Sequence, residues 1–138
     1  MASVHVLALD VGVKRVGVAL ADTSVKIAVP YAVVQADGTE IATITDIVRK
    51  ESIGTLVLGY PRNQSGDATA QTQYVLDFAR RLPAELQPLV VYQDESLTSV
   101  QAEQQLQAAQ KPYSKGDIDK LAASLILQDY LELQHGRI

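Results

Sequence analysis

Five short apolar segments constrain the fold of this 138-residue chain more than any other feature of its sequence. They lie at residues 4–10, 15–22, 26–35, 55–60 and 89–93. The first three are separated only by turns, which predicts an antiparallel meander, whereas the last two each follow a helical pattern, which predicts right-handed parallel crossovers. The helical patterns lie at residues 39–51, 71–82, 98–109 and 117–134. We therefore expect one α/β domain over residues 1–138, with a mixed five-stranded sheet (three antiparallel strands and two parallel additions) and helices on its faces.

The composition excludes several classes of site. The chain has no cysteine and only two histidines, so neither a disulfide framework nor a cysteine-based zinc site is available. A metal site would therefore be built from carboxylate oxygens, which select hard ions such as Mg²⁺ or Mn²⁺. The formal net charge of −4 disfavours indiscriminate binding to nucleic acid, because neutralising phosphates normally requires a basic excess.

The hydropathy pattern argues against a membrane protein. The N-terminal apolar run is short, lacks a basic flank and leads directly into Asp10, which favours a strand over a signal peptide. No apolar run approaches the roughly 20 residues that are needed to span a bilayer. We expect a cytoplasmic protein without membrane contacts.

Three acidic residues stand at the ends of predicted elements. Asp10 ends the first strand, Glu95 follows the fifth strand, and Asp119 lies in the first turn of the last predicted helix. If strands one, four and five are parallel, their carboxyl ends meet at one end of the sheet, where open α/β folds place their sites. Three converging carboxylates repel one another unless cations lie between them. A pair of divalent cations would relieve the repulsion and would also support an in-line phosphoryl displacement.

Each acid also has a structural explanation when it is taken alone. Asp10 precedes a glycine-containing turn, where aspartate is common. Asp119 could oppose the dipole at the start of its helix. Asp94 is most simply a polar residue at a strand end. Only the joint placement of Asp10, Glu95 and Asp119 favours a catalytic site.

Four segments resemble, in order, the motifs of the YqgF family, which is also called RuvX-like. They are residues 8–22 (ALDVGVKRVGVALAD), 58–66 (LGYPRNQSG), 94–103 (DESLTSVQAE) and 119–131 (DKLAASLILQDYL). The resemblance implies a ribonuclease-H-like fold, with Asp10, Glu95 and Asp119 as the catalytic residues and as the ligands of two Mg²⁺ or Mn²⁺ ions. It also implies a nuclease that either resolves branched DNA (Holliday junctions) or processes the 5′ end of 16S ribosomal RNA precursors.

Four basic residues are candidates for holding nucleic-acid phosphates: Lys14, Arg15, Arg62 and Lys115. They are expected to surround the carboxyl ends of the strands, so a local positive rim can coexist with a net negative chain. Two departures from the family pattern weaken this set. Ser96 stands where the family usually has arginine, and residues 111–120 contain only three lysines. A solvated surface charge is the alternative explanation for each of the four residues.

Two tyrosines and one histidine have simpler explanations than a functional one. Tyr60 and Tyr113 flank the predicted site and could stack on bases, although tyrosines at element ends are more often half-buried core residues. His5 lies in the middle of a strand, where a structural histidine is expected.

Two other functions fit parts of the sequence. Asp10, Val11 and Gly12 match the phosphate loop of ATP-binding proteins of the actin and sugar-kinase superfamily, but the chain lacks the length and the second loop that those proteins need. A non-catalytic nucleic-acid-binding or ribosome-binding module of the same fold is the stronger alternative. A nuclease that cuts two strands of a junction symmetrically would call for a homodimer.

Overall fold

The computed structural model describes residues 5–61, 67–95 and 98–133, apart from the side chains of residues 95, 98 and 99. The elements are β1 (His5–Val11), β2 (Arg15–Asp22), β3 (Ile27–Gln35), α1 (Glu40–Lys50), β4 (Ile53–Pro61), α2 (Ala70–Arg80), β5 (Val90–Glu95), α3 (Thr98–Ala108) and α4 (Lys115–Leu131). A single 3-10 turn, Gln87–Leu89, precedes β5. This order confirms the predicted sequence of strands and helices. None of the helices in the described ranges combines the length and the apolar character that crossing a bilayer requires.

The five strands form one mixed sheet in the order β3-β2-β1-β4-β5. Strands β1, β2 and β3 pair antiparallel, whereas β1, β4 and β5 run parallel to one another. The predicted meander and the two predicted parallel additions are therefore confirmed. Strands β1, β4 and β5 all end at the same end of the sheet, which we call the carboxyl end. The amino end of β2 and the carboxyl end of β3 lie there too.

The two faces of the sheet carry side chains of different size. On one face, large aliphatic residues of the strands pack against α1 and α2, including Leu9, Leu58, Ile44, Val75 and Phe78. On the other face, small residues of β1 and β2 pack against α4. Ala8, Ala19 and Ala21 of the strands belong to one cluster with Ala123 and Ile126 of the helix. Small side chains allow the backbone of α4 to approach the sheet closely, and this approach shapes the site.

Helix α4 begins two residues earlier than predicted. Ser114 is its N-cap, and the Ser114 hydroxyl accepts a hydrogen bond from the Asp117 backbone N–H at 3.2 Å. The Asp117 carboxylate in turn accepts from the Ser114 N–H at 2.9 Å, which completes a capping box. Asp119 therefore lies in the second turn of α4, whereas the sequence analysis predicts it in the first. The helix dipole acts mainly within the first turn, so it accounts for Asp117 rather than Asp119.

Strand β3 is an outer strand of the sheet, a position that tolerates the proline within it. The register between β2 and β3 shifts near Pro30, so β3 is both an outer strand and irregularly paired at the proline. Gln128 of α4 covers part of this strand. Its side-chain oxygen accepts from the Ala28 N–H at 3.0 Å, and its amide nitrogen donates to the Lys26 carbonyl at 3.3 Å.

Candidate active site

Asp10 lies one residue before the end of β1 and is half-buried. Side chains alternate between the faces of a strand, so Asp10 shares the α4 face with Ala8. Directly after β1, the Gly12 N–H donates to the Arg15 carbonyl at 3.0 Å and closes the turn into β2. In the β1–β2 pairing, Asp10 is the partner of Gly17.

Gly17 brings α4 into contact with this position. A Cβ atom on Gly17 would lie 2.0 Å from the Asp119 carbonyl oxygen and 2.3 Å from its carbon, so only glycine leaves room for the helix backbone. Directly opposed residues in an antiparallel pair have Cβ positions roughly 4.5–5.5 Å apart. The Asp119 backbone therefore lies beside Asp10, although the two residues are far apart in sequence.

Asp119 is bonded to Arg15. The Arg15 Nε donates to Asp119 Oδ2 at 2.6 Å, and both side chains are about three-quarters buried (25% and 22% exposed). The sequence predicts Arg15 as a phosphate contact, whereas the structure places its guanidinium against a predicted catalytic acid. A carboxylate has two oxygens and about four lone-pair sites, so this bond leaves Asp119 with acceptor capacity for a cation.

Glu95 ends β5 at the carboxyl end of the sheet, where it pairs with Pro61. Its backbone is two strands away from β1, which corresponds to about 10 Å at the usual strand spacing. Its side chain lies outside the described part of the structure. Among the described side chains, no three acidic, histidine or cysteine residues cluster closely enough to hold a metal ion. The donors at this end are carboxylate oxygens, which fit a hard divalent cation.

The described basic candidates lie at the same end of the sheet. Lys14 is exposed at the β1–β2 turn, and its carbonyl accepts from the Ala36 N–H at 3.0 Å. Lys115 is exposed at the first position of α4, and the following Gly116 lies over Val33 of β3. The other two residues that the sequence singles out here, Arg62 and Ser96, lie outside the described residues.

The tyrosines have different surroundings. Tyr60 near the end of β4 forms an edge-to-face pair with Tyr92 of β5, with ring centroids 5.6 Å apart and planes inclined at 69°. Tyr113 instead lies over α3, where its hydroxyl is 3.4 Å from a carboxylate oxygen of Glu103. Sequence reasoning missed both Tyr92 and Gly17. The signal for Gly17 was present, because a glycine inside an apolar strand often marks a close backbone approach.

His5 has the structural role that the sequence predicts. Its Nδ1 lies 2.7 Å from the Glu51 carbonyl, and its Nε2 lies 3.5 Å from a carboxylate oxygen of Asp22. These contacts join β1 to β2 and to the segment before β4, at the opposite end of the sheet from Asp10.

Known proteins resemble this chain along nearly its whole length. A family model described as "RuvX: Holliday junction resolvase" matches residues 4–133. A protein of Chloroflexus aurantiacus named "Putative pre-16S rRNA nuclease" is 42% identical over 131 residues, which cover 92% of this chain and 86% of the relative. A protein of Synechocystis with the same name is 38% identical over 139 residues, covering 98% of this chain and 91% of the relative.

A solved structure supports the fold independently. The RuvC protein of Thermus thermophilus, solved in complex with Holliday junction substrate, aligns with a TM-score of 0.52 and 15% identity over 96% of each chain. At this identity the likeness establishes the ribonuclease-H-like fold and nothing finer. Nucleases of this fold generally use divalent metal ions. The family match and the relatives confirm the resemblance found in the sequence motifs, and the chain belongs to the RuvX (YqgF) family.

Proposed function

We propose that this chain is a metal-dependent endonuclease that hydrolyses phosphodiester bonds in nucleic acid. The family to which it belongs is described as Holliday junction resolvase, and its relatives are named as nucleases of precursor 16S ribosomal RNA. Branched DNA and precursor ribosomal RNA are therefore the two substrates to test first.

The proposed site assigns a role to each residue at the carboxyl end of the sheet. Asp10, Glu95 and Asp119 would hold two Mg²⁺ or Mn²⁺ ions. Divalent cations bound there supply Lewis-acid activation of water and neutralise charge on the leaving oxygen. Arg15 is a positioning residue, because its bond to Asp119 fixes the orientation of that carboxylate. Lys14, Arg62 and Lys115 would hold the phosphates on either side of the cut.

One observation carries this assignment. The absence of a side chain at Gly17 lets the backbone of α4 pack directly on β2, next to the position that pairs with Asp10. The contact supports a site in which two acids from distant parts of the sequence act together.

A thermal-shift experiment tests the metal site without any need for cleavage. A ligand that binds only the folded protein stabilises it by about 2.7 kcal/mol at a hundredfold excess over Kd. Mn²⁺ should raise the melting temperature of the native protein and have a much smaller effect on Asp10→Asn. The matched control is Asp46→Asn, an exposed acid on α1, which should respond to Mn²⁺ like the native protein. Equal shifts in all three proteins would remove Asp10 from the metal site.

A cleavage assay tests the activity and selects the substrate. Purified protein is incubated in parallel with a four-way DNA junction, single-stranded DNA and precursor 16S ribosomal RNA, each with Mn²⁺ and with EDTA. We expect Mn²⁺-dependent cleavage of the junction or of the ribosomal RNA. Binding of RNA or ribosomes without cleavage of any substrate would support the non-catalytic module instead.

Two finer parts of the proposal concern assembly and location. Symmetric cuts on two strands of a junction would require a homodimer, whereas trimming of ribosomal RNA would not. Sedimentation with and without junction DNA decides whether two copies assemble on it. A cytoplasmic location is tested by fractionating cells and probing for the protein.

A further inference from the structure

A cavity of about 570 Å³ lies along the outer edge of β5. Its volume falls within the range of small-ligand pockets, roughly 300–1,000 Å³. The described residues that line it are Tyr60, Leu76, Tyr92, Gln93, Asp94 and Leu133. Neighbouring residues of a strand point to opposite faces, so a cavity lined by both Tyr92 and Gln93 must wrap around the outer side of this strand.

The lining combines flat aromatic surface with hydrogen-bonding groups. Tyr60 and Tyr92 meet edge to face. In this arrangement one ring presents its edge to the other, so its partner covers neither of its faces. Tyr92 is 43% exposed, an unusual position for a large aromatic residue inside a strand. Gln93 provides an amide and Asp94 a carboxylate at the same place. These are the groups that recognise an unstacked nucleobase, by stacking on its face and hydrogen bonding to its edge.

Part of the cavity lining, Tyr60 and Asp94, lies near the carboxyl end of the sheet. Asp94 pairs with Tyr60 across β4 and β5, and the next pair along is Glu95 with Pro61. Tyr92 precedes Glu95 by three residues, which corresponds to about 10 Å along a strand. Tyr60 and Tyr92 lie on the face of the sheet that packs against α2, opposite the α4 face of Asp10, so a substrate strand would reach them by passing around the outer edge of β5.

The surroundings of Tyr92 keep its hydroxyl in the neutral form. Burial raises the pKa of the Tyr92 hydroxyl, and the nearby Arg80 opposes that rise. The hydroxyl therefore remains neutral and can donate a hydrogen bond at physiological pH. Arg80 is exposed on α2, where it also pairs with Asp77 at 2.8 Å.

We infer that the cavity bounded by Tyr60 and Tyr92 binds one unstacked nucleobase of the substrate strand, at a nucleotide that passes around the outer edge of β5. This inference rests on the proposed nuclease function and names the form of its substrate, a single-stranded or opened segment. Stacking tolerates every base, so the cavity should hold bases of DNA and of RNA alike.

A double-mutant cycle between the protein and the strand tests this inference. The native protein and Tyr92→Leu, which loses the ring and keeps apolar volume, are titrated in EDTA with labelled single-stranded DNA and RNA. Each oligonucleotide is intact or lacks one base. Loss of a stacked base costs roughly five-fold to a hundred-fold in affinity, and Tyr92→Leu should cost the same. Combining the two should add little further loss, because the same contact is removed twice.

Controls separate stacking from a general loss of structure. Tyr92→Phe keeps the ring and should bind within about two-fold of the native protein. Tyr31→Leu makes the same change on β3, the outer strand on the other side of the sheet, and should leave affinity unchanged. If Tyr92→Leu fails to fold, native protein is titrated with oligonucleotides that each lack one base at a different position, and this series still tests the inference. One sensitive position supports the cavity, and a flat profile overturns it.

The remaining outcomes distinguish this inference from the proposed function. Additive losses in the cycle, while Mn²⁺-dependent cleavage persists, would overturn the base cavity and leave the nuclease intact. Coupled losses in a protein that cuts nothing would support the cavity and refute the nuclease. A change from dimer to monomer in Tyr92→Leu, seen by sedimentation, would show that a second copy covers the cavity and would overturn the inference.

Discussion

Replacing Gly17 with alanine tests how the fold holds the two acids together. The added Cβ atom would lie 2.0 Å from the Asp119 carbonyl oxygen, whereas ordinary van der Waals contact begins at 3.4 Å. The difference of about 1.4 Å is the distance that α4 must retreat. The helix cannot tilt away freely, because Ala123 and Ile126 anchor it farther along the same face of the sheet.

The cost follows from this geometry. Overpacking a well-packed interior typically costs 1–3 kcal/mol and occasionally more. Because the clash is with backbone and not with a movable side chain, we expect about 3 kcal/mol, or roughly 10 °C in melting temperature for a chain of this size. Displacing Asp119 by more than an ångström from its place beside Asp10 should also lower the cleavage rate by about a hundredfold.

The control is Gly116→Ala, which also lies at the contact between α4 and the sheet. Its Cβ atom would lie 3.4 Å from a Val33 methyl group, an ordinary contact. Alanine is the better helix former, by up to about 1 kcal/mol, so this variant should melt at or above the native temperature and cleave normally. Melting is followed by circular dichroism, and cleavage is compared at temperatures where both variants are folded.

Two results would refute the reasoning. If Gly17→Ala melts within about two degrees of the native protein, α4 does not pack on β2 as closely as described. If the variant is destabilised but cuts at the native rate while folded, the contact at Gly17 serves stability only. The placement of Asp119 beside Asp10 would then not matter for the reaction.

Three further predictions concern single charges. Asp119→Asn should keep an acceptor for Arg15 and lose about 1–2 kcal/mol of stability. The variant should bind nucleic acid nearly as well as the native protein but cut at least a hundredfold more slowly. Cleavage at the native rate with native metal dependence would exclude Asp119 from catalysis. Lys14→Ala and Lys115→Ala should each weaken binding to all sequences alike and reduce the slope of log K against log[salt] by roughly one unit. Weaker binding with an unchanged slope would instead indicate a folding defect. Hydrogen bonds from the Thr39 side chain and backbone hold the pKa of Asp37 below its ordinary value of 3.8. The native protein should therefore be more stable than Asp37→Ala above that pH, and this advantage should be lost as the pH falls through the lowered pKa. The free energy of unfolding is measured by urea melts of both proteins. A difference between them that does not change with pH would contradict this prediction.

The fold followed from the sequence because its signals are local and agree with one another. Apolar segments joined by turns pair antiparallel, and those joined by helices pair parallel, so the order of elements specified the strand directions. The start of α4 was wrong by two residues because Ser114 and Asp117 form a capping box that the apolar pattern does not show. That error placed Asp119 in the wrong turn and made a simple dipole role look plausible.

The site was predictable only in outline. The common end of parallel strands placed Asp10 and the backbone of Glu95 correctly, because strand direction decides this. The bond between Arg15 and Asp119 joins residues 104 positions apart, and nothing in the local pattern around either one indicates it. The sequence does not single out Tyr92, since it does not reveal that β5 is an outer strand of the sheet.

The bond pattern of Gln128 bears on how the protein behaves when it is concentrated. An outer strand with exposed apolar side chains, such as Ile27 and Val29 on β3, is a template on which further strands can grow into aggregates. Gln128 reaches from α4 to the backbone at Ala28 and Lys26, so these two backbone groups are already hydrogen-bonded within the chain. The helix that brings a proposed catalytic acid to one end of the sheet thus also restrains edge-to-edge polymerisation at the other end.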